Sequence, residues 1–582
     1  MTASSILLIA LATTTLTRVR GSNVTQELET SECQLGVSGG RLVVGLRAEP
    51  RTLNPIVALD AASREIISLL TADLIQIDRR SLEPVSALAK SWTISNGGKE
   101  YTLHLRRGLR FSDGYPFNAD DVMFTFRAHL DERAHSPQRE ILSVGGQPIT
   151  LHEIDSYTVV FDLAQPYAGA ERLFDGIGIL PKHLLGNAYA SGEIASAWGV
   201  SALPAQVAGL GPFRLKDSVP GQMIALERNP YYWKVDSAGN QLPYLDEIVF
   251  LFVGSEDGQV LRFQSGETQV IAGLSADNFA VLKREESRGF HLSDVGPGLE
   301  YSFLLLNLNV LKPNSDVSIR AKQTWFRDVR FRMALSSAID RDSIVRLVYR
   351  GMASPLWTHV TEGNQVWLNR QIPHPAKSVA HARQLLETAG FSWNPAGQLL
   401  DPSKKEVGFS ILTSSGNSQR TQIAVLVQQD LKELGLNVSI VSLEFRAMLD
   451  RVFQSHQYEA AVMTLASGEI DPNSEMNVLV SKGSTRLWNL EGSATSEWEQ
   501  EVDSLMRKQM VTLDFARRKQ YYDRIQELVF FNLPMIYLVS PHLLVGKADR
   551  LGNFHPSILS PYILWNADQL YFQSNSASGR VH

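Results

Sequence analysis

Apolar and polar positions along this chain follow two different periods, and the change from one to the other divides the sequence. In the first half the period is two. Tyr101, Leu103 and Leu105 alternate with Thr102, His104 and Arg106, which predicts a strand buried on one face. The run RLVVGL from Arg41 predicts a buried strand, ended by the turn chemistry of PRTLNP from Pro50 to Pro55. A helix is predicted from about Ala62 to Leu70. Gly108, Asp113, Gly114 and Pro116 break the chain into a loop after the alternating strand. Near Phe213 two strands flank Val219-Pro220-Gly221-Gln222, where Pro and Gly at the central positions suit a type II turn and predict a hairpin.

Beyond Tyr301 the period becomes helical. Phe331, Ala334, Leu335 and Ala338 fall on one helix face, Asp340 can cap the next helix, and Gly351 can stop it. Ala382, Leu385, Leu386 and Ala389 make a second stripe closed by Gly390, followed by a strand through Val407, Phe409 and Ile411. Ile423, Leu426, Val427 and Leu434 lead to Gly435, and Val438 and Ile440 begin another strand. Helices alternating with strands predict an α/β architecture of two or three lobes, with no internal repeat.

Ahead of the first strand stand two segments of another kind. The apolar run Ile6 to Ala12 has the length of a signal h-region; a spanning helix needs about 20 residues. Residues 1–20 are therefore expected to be a signal segment, although no Lys or Arg precedes the run and no clean A-x-A site follows Leu16. Residues 21–40 are polar and patternless, as expected of a flexible tail.

Composition narrows the function classes. The 582 residues are more than one hydrophobic core usually organises, and 44% hydrophobic with 20% charged residues is ordinary for a globular protein. A net charge of −6 offers no field to attract phosphate backbones, so nucleic acid is not an expected partner. The single cysteine, Cys33, excludes an intrachain disulfide and a Cys-rich zinc site. Thr30, Ser31 and Glu32 before it do not resemble a lipobox, so lipid anchoring at Cys33 is not expected.

Catalytic signatures are weak. Gly36-Val37-Ser38-Gly39-Gly40 matches G-x-S-x-G, but a nucleophile elbow needs a strand before the serine and a helix after it, and here a polar tail precedes a strand. His152-Glu153 lacks the second histidine of a zincin helix, and His374 and His381 are not spaced as a helical ligand pair. Neither a Walker A loop nor G-x-G-x-x-G occurs. Asp120-Asp121 reads as the first turn of a helix, where carboxylates favour the dipole. Trp233, Trp357, Trp367, Trp488 and Tyr301 lie near predicted element ends. Core packing is the favoured reading of each, while a cleft lined by several would suit a peptide or oligosaccharide.

One long segment carries a resemblance. LHLRRGLRFSDGYPFNADDVMFTF, Leu103 to Phe126, resembles the signature of bacterial extracellular solute-binding proteins of family 5, the oligopeptide and dipeptide type. EPRTLNP, GLGPFRL, ALERNPYYW, LDEIVFLFV, FRDVRFRMALSSAIDRDSIV, ARQLLETAGF, QQDLKELGLNV and NLPMIYL extend it in order along the chain. The resemblance implies a periplasmic-binding-protein-like α/β fold (type II, three-domain cluster C), with two lobes around a hinged cleft. It implies a first domain in three pieces (41–80, 206–303 and 539–575), a second inserted at 81–205, and a third at 304–538. It implies a monomer that binds solute without covalent chemistry, cofactor or metal, and hands it to the membrane permease of an ABC transporter.

Site residues follow only by position. In similar peptide binders an aspartate four residues before the proline of D-x-x-x-P holds the ligand ammonium, with a tryptophan three residues earlier. Gly468 and Leu465 stand there, so Glu469 or Asp471 would have to substitute if the loop is shifted. Ser467 and Trp488, and the segment Leu59, Asp60 and Ala61 after TLNP, complete the candidates. This departure leaves open a non-peptide cargo such as an oligosaccharide, metal chelate or opine-like compound, or a sensor role. A secreted hydrolase would need a nucleophile–base pair that the sequence does not offer.

Overall fold

The computed structural model of the chain describes residues 26–311 and 316–573, so the expected signal segment lies outside the described residues. The alternating strand forms as predicted at Glu100–Leu105, with Tyr101, Leu103 and Leu105 buried and the intervening side chains half-buried. It pairs antiparallel with Ala89–Ser95 and Thr158–Asp162 in a four-stranded sheet. The loop after it enters the helix Ala119–Leu130 through a capping box. Asn118 accepts the Asp120 N–H at 2.8 Å, and the Asp121 carboxylate accepts the Asn118 N–H at 3.2 Å. Burial pushes the Asp121 pKa up to about 6, and the backbone N–H groups of Lys182 and Asn118 oppose that rise. The acidic pair is thus a helix start. Leu103, Leu105, Leu109, Phe111, Phe117 and Phe126 join one hydrophobic core, which gives the whole Leu103–Phe126 segment a structural role.

A twelve-stranded mixed sheet runs through the rest of the molecule. Its ten-strand path begins with the predicted hairpin, Phe213–Val219 and Met223–Arg228, whose turn closes through Gln222 N–H to Val219 carbonyl at 3.0 Å with Gly221 at φ +69°. It continues through Glu247–Phe252, Arg41–Leu46 and Val270–Ala272 to the long strand Ile536–Ala548. Beyond that strand come Glu300–Leu306, Ala460–Ala466, Gly408–Ser414 and Asn437–Leu443. The strand Ile536–Ala548 belongs to both halves: Val539 and Tyr537 pair with Ser302 and Phe303, while Leu544 and Val545 pair with Asp294 and Ser293. Pro541 sits at the change of partners, where its missing N–H costs least, and its carbonyl accepts the Gly298 N–H at 3.0 Å. The chain therefore enters the second half through Pro297-Gly298-Leu299 and leaves it near Ser540-Pro541. The architecture is α/β, with two lobes joined by a pair of extended segments.

In the second lobe the predicted alternation is realised. Helices span Val329–Ala338, Arg341–Val348, Val379–Thr388 and Ser418–Lys432, and Asp340 caps the second by accepting the Ser343 N–H at 2.9 Å. Gly435, at φ +84°, lets the chain pass so close to Gly397 that an added Cβ would lie 2.2 Å from its carbonyl oxygen.

The expected flexible tail is different. From Glu27 onward it is tied down. Glu29–Thr30 pairs in parallel with Lys234–Val235, the Glu27 carboxylate takes Lys90 at 2.8 Å, and the Glu29 carboxylate takes Arg106. Cys33 is half-buried against the first-lobe core. Its partners lie far away in sequence, so no local periodicity announces the order. Ser38 of the G-x-S-x-G match lies in this segment, followed by a strand and not by a helix. Among the described residues no helix is long and apolar enough to cross a membrane.

Candidate functional site

The loop after Ala466 lies beside the segment joining the lobes. Leu465 and Ala466 pair with Tyr301 and Glu300, and the Ser467 N–H donates to the Leu299 carbonyl at 3.1 Å. The Ser467 hydroxyl meets the Glu475 carboxylate and lies 3.2 Å from the Ser474 hydroxyl. Gly468 is exposed, and a Cβ added there would meet nothing within 4 Å.

The two neighbouring acids are both engaged. Asp471 is buried, accepts Arg518 Nη1 and Nη2 at 2.7 and 2.6 Å, and caps the turn Pro472–Glu475. Glu469 Oε1 lies 2.8 Å from Arg172 Nη1 and accepts the Ile470 N–H at 2.7 Å. Burial raises the Glu469 pKa, and Arg172 opposes the rise. As the loop stands, neither carboxylate is available to replace the aspartate absent at Gly468.

The other candidates separate. Asp60 caps the helix Ala61–Leu70, accepting the Ser63 N–H at 2.9 Å and its hydroxyl at 2.7 Å. Leu59 beside it is 71% exposed, and Ala61 is exposed. Leu465 packs half-buried against the second-lobe core. Trp488 is a correction. It is 2% exposed, its indole N–H donates to Glu499 Oε1 at 3.2 Å, and the Arg486 guanidinium sits 5.2 Å from its ring centroid. It holds a buried ion pair in place and lines no cleft. Trp233, Trp367 and Tyr301 are likewise buried in cores, and Trp357 stacks on His374 at 4.1 Å.

Sequence reasoning missed a second group. Glu65, on the helix that Asp60 caps, is half open to solvent yet crowded by protein, and burial pushes its pKa up to about 7. Glu300, exposed at the start of its strand, is raised by burial, with Arg420 opposing. Tyr562 feels both carboxylates, which links the capped helix of the first lobe to the first strand of the second. Among the described residues neither carboxylate makes a hydrogen bond or salt bridge. Arg420 donates to Thr464 Oγ1 at 3.2 Å and lies 5.8 Å from the Phe445 ring centroid. No spacing marks these residues. Glu65 reads as the polar face of an ordinary amphipathic helix, and Glu300 as a strand end.

Two α/β lobes joined by two extended connections, with the loop after Ala466 at their junction, define a periplasmic-binding-protein-like fold built around an interlobe cleft. The chain belongs to the bacterial extracellular solute-binding proteins of family 5, whose "family 5 Middle" profile matches residues 83–486. It is 26% identical over 527 residues to the oligopeptide-binding protein AppA of Bacillus subtilis, covering 89% of this chain and 90% of that one. It is 26% identical over 539 residues to a periplasmic alpha-galactoside-binding protein of Rhizobium meliloti, covering 85% and 74%. The solved structure of Bacillus subtilis AppA in complex with a nonapeptide superposes with a TM-score of 0.69 at 25% identity, covering 93% of this chain and 100% of that one.

Proposed function

We propose that this protein is the extracytoplasmic binding component of an ABC importer, taking a peptide or peptide-like solute in the interlobe cleft and delivering it to a membrane permease. The observation that carries the peptide reading is the pair of carboxylates without hydrogen-bond partners, Glu65 and Glu300, which can receive an ammonium that Gly468 cannot. Carboxylates that are open to solvent and carry no hydrogen bond of their own can take a cationic partner, and a charge-assisted hydrogen bond is stronger than a neutral one. The domain division given above, with residues 304–538 closing against the rest, accommodates this binding mode. The protein works as a monomer outside the cytoplasm, without a lipid anchor at Cys33, and turns nothing over.

A second reading keeps the fold and changes the cargo to a sugar or chelate. The loss of the acid at Gly468 and of the aromatic at Leu465 favours it, and the similarity to an alpha-galactoside-binding protein fits it. A thermal-shift panel separates the two. A bound solute at a hundredfold excess over Kd stabilises the fold by about 2.7 kcal/mol. The peptide reading expects the shift from peptides of two to nine residues and none from raffinose-type sugars or nickel–histidine; the reverse pattern would select the second.

A further inference from the structure

Five polar side chains from five separate elements meet in the core of the second lobe, beneath the loop after Ala466. Tyr301 comes from the strand Glu300–Leu306, Tyr537 from Ile536–Ala548, Tyr522 from the helix Phe515–Asn532, Glu475 from the turn Pro472–Glu475, and His359 from the segment after the strand Ala353–Pro355. Tyr537 pairs with Phe303, which shares a strand face with Tyr301, and the two phenol rings lie with centroids 5.9 Å apart. The His359 ring stands 6.5 Å from that of Tyr537 and 5.7 Å from that of Tyr522, and its Nε2 lies 3.1 Å from the Tyr522 hydroxyl. None of the five is more than 5% exposed. Four of their atoms are buried without a hydrogen-bond partner among the described residues: the Tyr301 and Tyr537 hydroxyls, His359 Nδ1 and Glu475 Oε2. The other Glu475 oxygen is taken by the Ser467 hydroxyl.

We propose that Tyr301, Tyr537, His359 and Glu475 line a buried hydration site, whose ordered water bridges Glu475 Oε2 to the phenols and the imidazole and so braces the carboxylate that holds Ser467. Buried polar atoms are almost always hydrogen-bonded, because a bare one keeps its full desolvation cost. Four bare atoms in one corner of a core therefore point to a shared partner. Burial first, and the Glu475 charge second, hold the Tyr301, Tyr522 and Tyr537 phenols well above their usual pKa, so each keeps a proton to donate. Burial also pushes the His359 pKa down to about 3, which leaves the imidazole neutral. A metal cation takes lone pairs only and leaves phenol protons unmatched. Water both donates and accepts, and a buried one typically makes about three hydrogen bonds to such groups. The site acts as a positioning device for the loop that carries Ser467 and Gly468, and it stands whether or not the importer reading does.

Urea unfolding of Tyr301→Phe, Tyr537→Phe and the double variant tests this. A hydroxyl that holds water loses a hydrogen bond on replacement, so each single variant is expected to lower the urea midpoint. The double variant is expected to lower it by less than the sum, because the two hydroxyls share one bridge. Replacing a bare hydroxyl removes only its desolvation cost, so midpoints unchanged or raised in both single variants would overturn the proposal. A high-resolution crystal structure of the wild-type chain decides the matter even if a variant fails to fold. It is expected to show water within hydrogen-bond distance of Glu475 Oε2 and of at least one of the two phenol oxygens. An anomalous-scattering peak from a metal at that point, or no water there, would overturn the proposal.

Discussion

Asp471 grips Arg518 through both carboxylate oxygens, at 2.6 and 2.7 Å, with the two side chains only 7% and 6% exposed. The pair turns an acid of the candidate loop into part of its frame. Arg518 also donates from Nε to Gln509 Oε1 at 2.9 Å, so the guanidinium is fully committed to this corner. Asp471→Ala leaves that charge buried without its counter-ion, which typically costs about 3 to 5 kcal/mol. Urea unfolding is expected to show a loss of that size, and the double replacement Asp471→Leu with Arg518→Met a much smaller one.

Glu475 lies beneath the same loop, 5% exposed, with Ser467 on one oxygen and no partner among the described residues for the other. Burial pushes its pKa from 4.5 up to about 7, with the Ser467 hydrogen bond opposing. A raised folded pKa means that the folded chain binds the proton more tightly than the unfolded chain. The stability this contributes is complete below about pH 4.5 and is lost as pH rises through 7. Glu475→Gln removes the titration. Its stability gain over the wild type is expected to be near zero at pH 4 and on the order of 3 kcal/mol at pH 8, read from paired denaturation curves.

The open space around Gly468 makes a gain-of-function test simple. Gly468→Asp should fold as the wild type does, because exposed substitutions of this kind usually change stability by less than about 0.5 kcal/mol. For peptides with a free amino terminus it should tighten binding by roughly tenfold or more, the size of a charge-assisted hydrogen bond of about 1.5 to 3 kcal/mol. N-acetylated peptides should show no gain in calorimetric titration.

Where the sequence was legible, local chemistry was the reason. The alternation at Tyr101, Leu103 and Leu105, the Pro220-Gly221 turn and the Asp340 cap each depend on neighbours within a few residues, and each forms as predicted. The ordered segment from Glu27 was not legible, because Lys90, Arg106 and Lys234 lie too far along the chain to leave a pattern. Trp488 stands in sequence both as a core residue and as a cleft candidate for a related reason: a tryptophan near an element end does not give its depth, and the structure packs it against the buried Arg486–Glu499 pair. Glu469 and Asp471 are the acids nearest Gly468 in sequence, but Arg172 and Arg518, distant in sequence, hold them. Glu65 and Glu300 carried no signal, since their significance lies in what does not neutralise them.

Calorimetric titration of the peptide giving the largest thermal shift, with mass analysis of the peptide afterwards, tests the central claim most directly. A binding protein that captures solute in its interlobe cleft is expected to saturate at one peptide per chain with a negative heat-capacity change, and to return the peptide intact. A peptide recovered as fragments, or saturable binding confined to other solutes, would contradict the account.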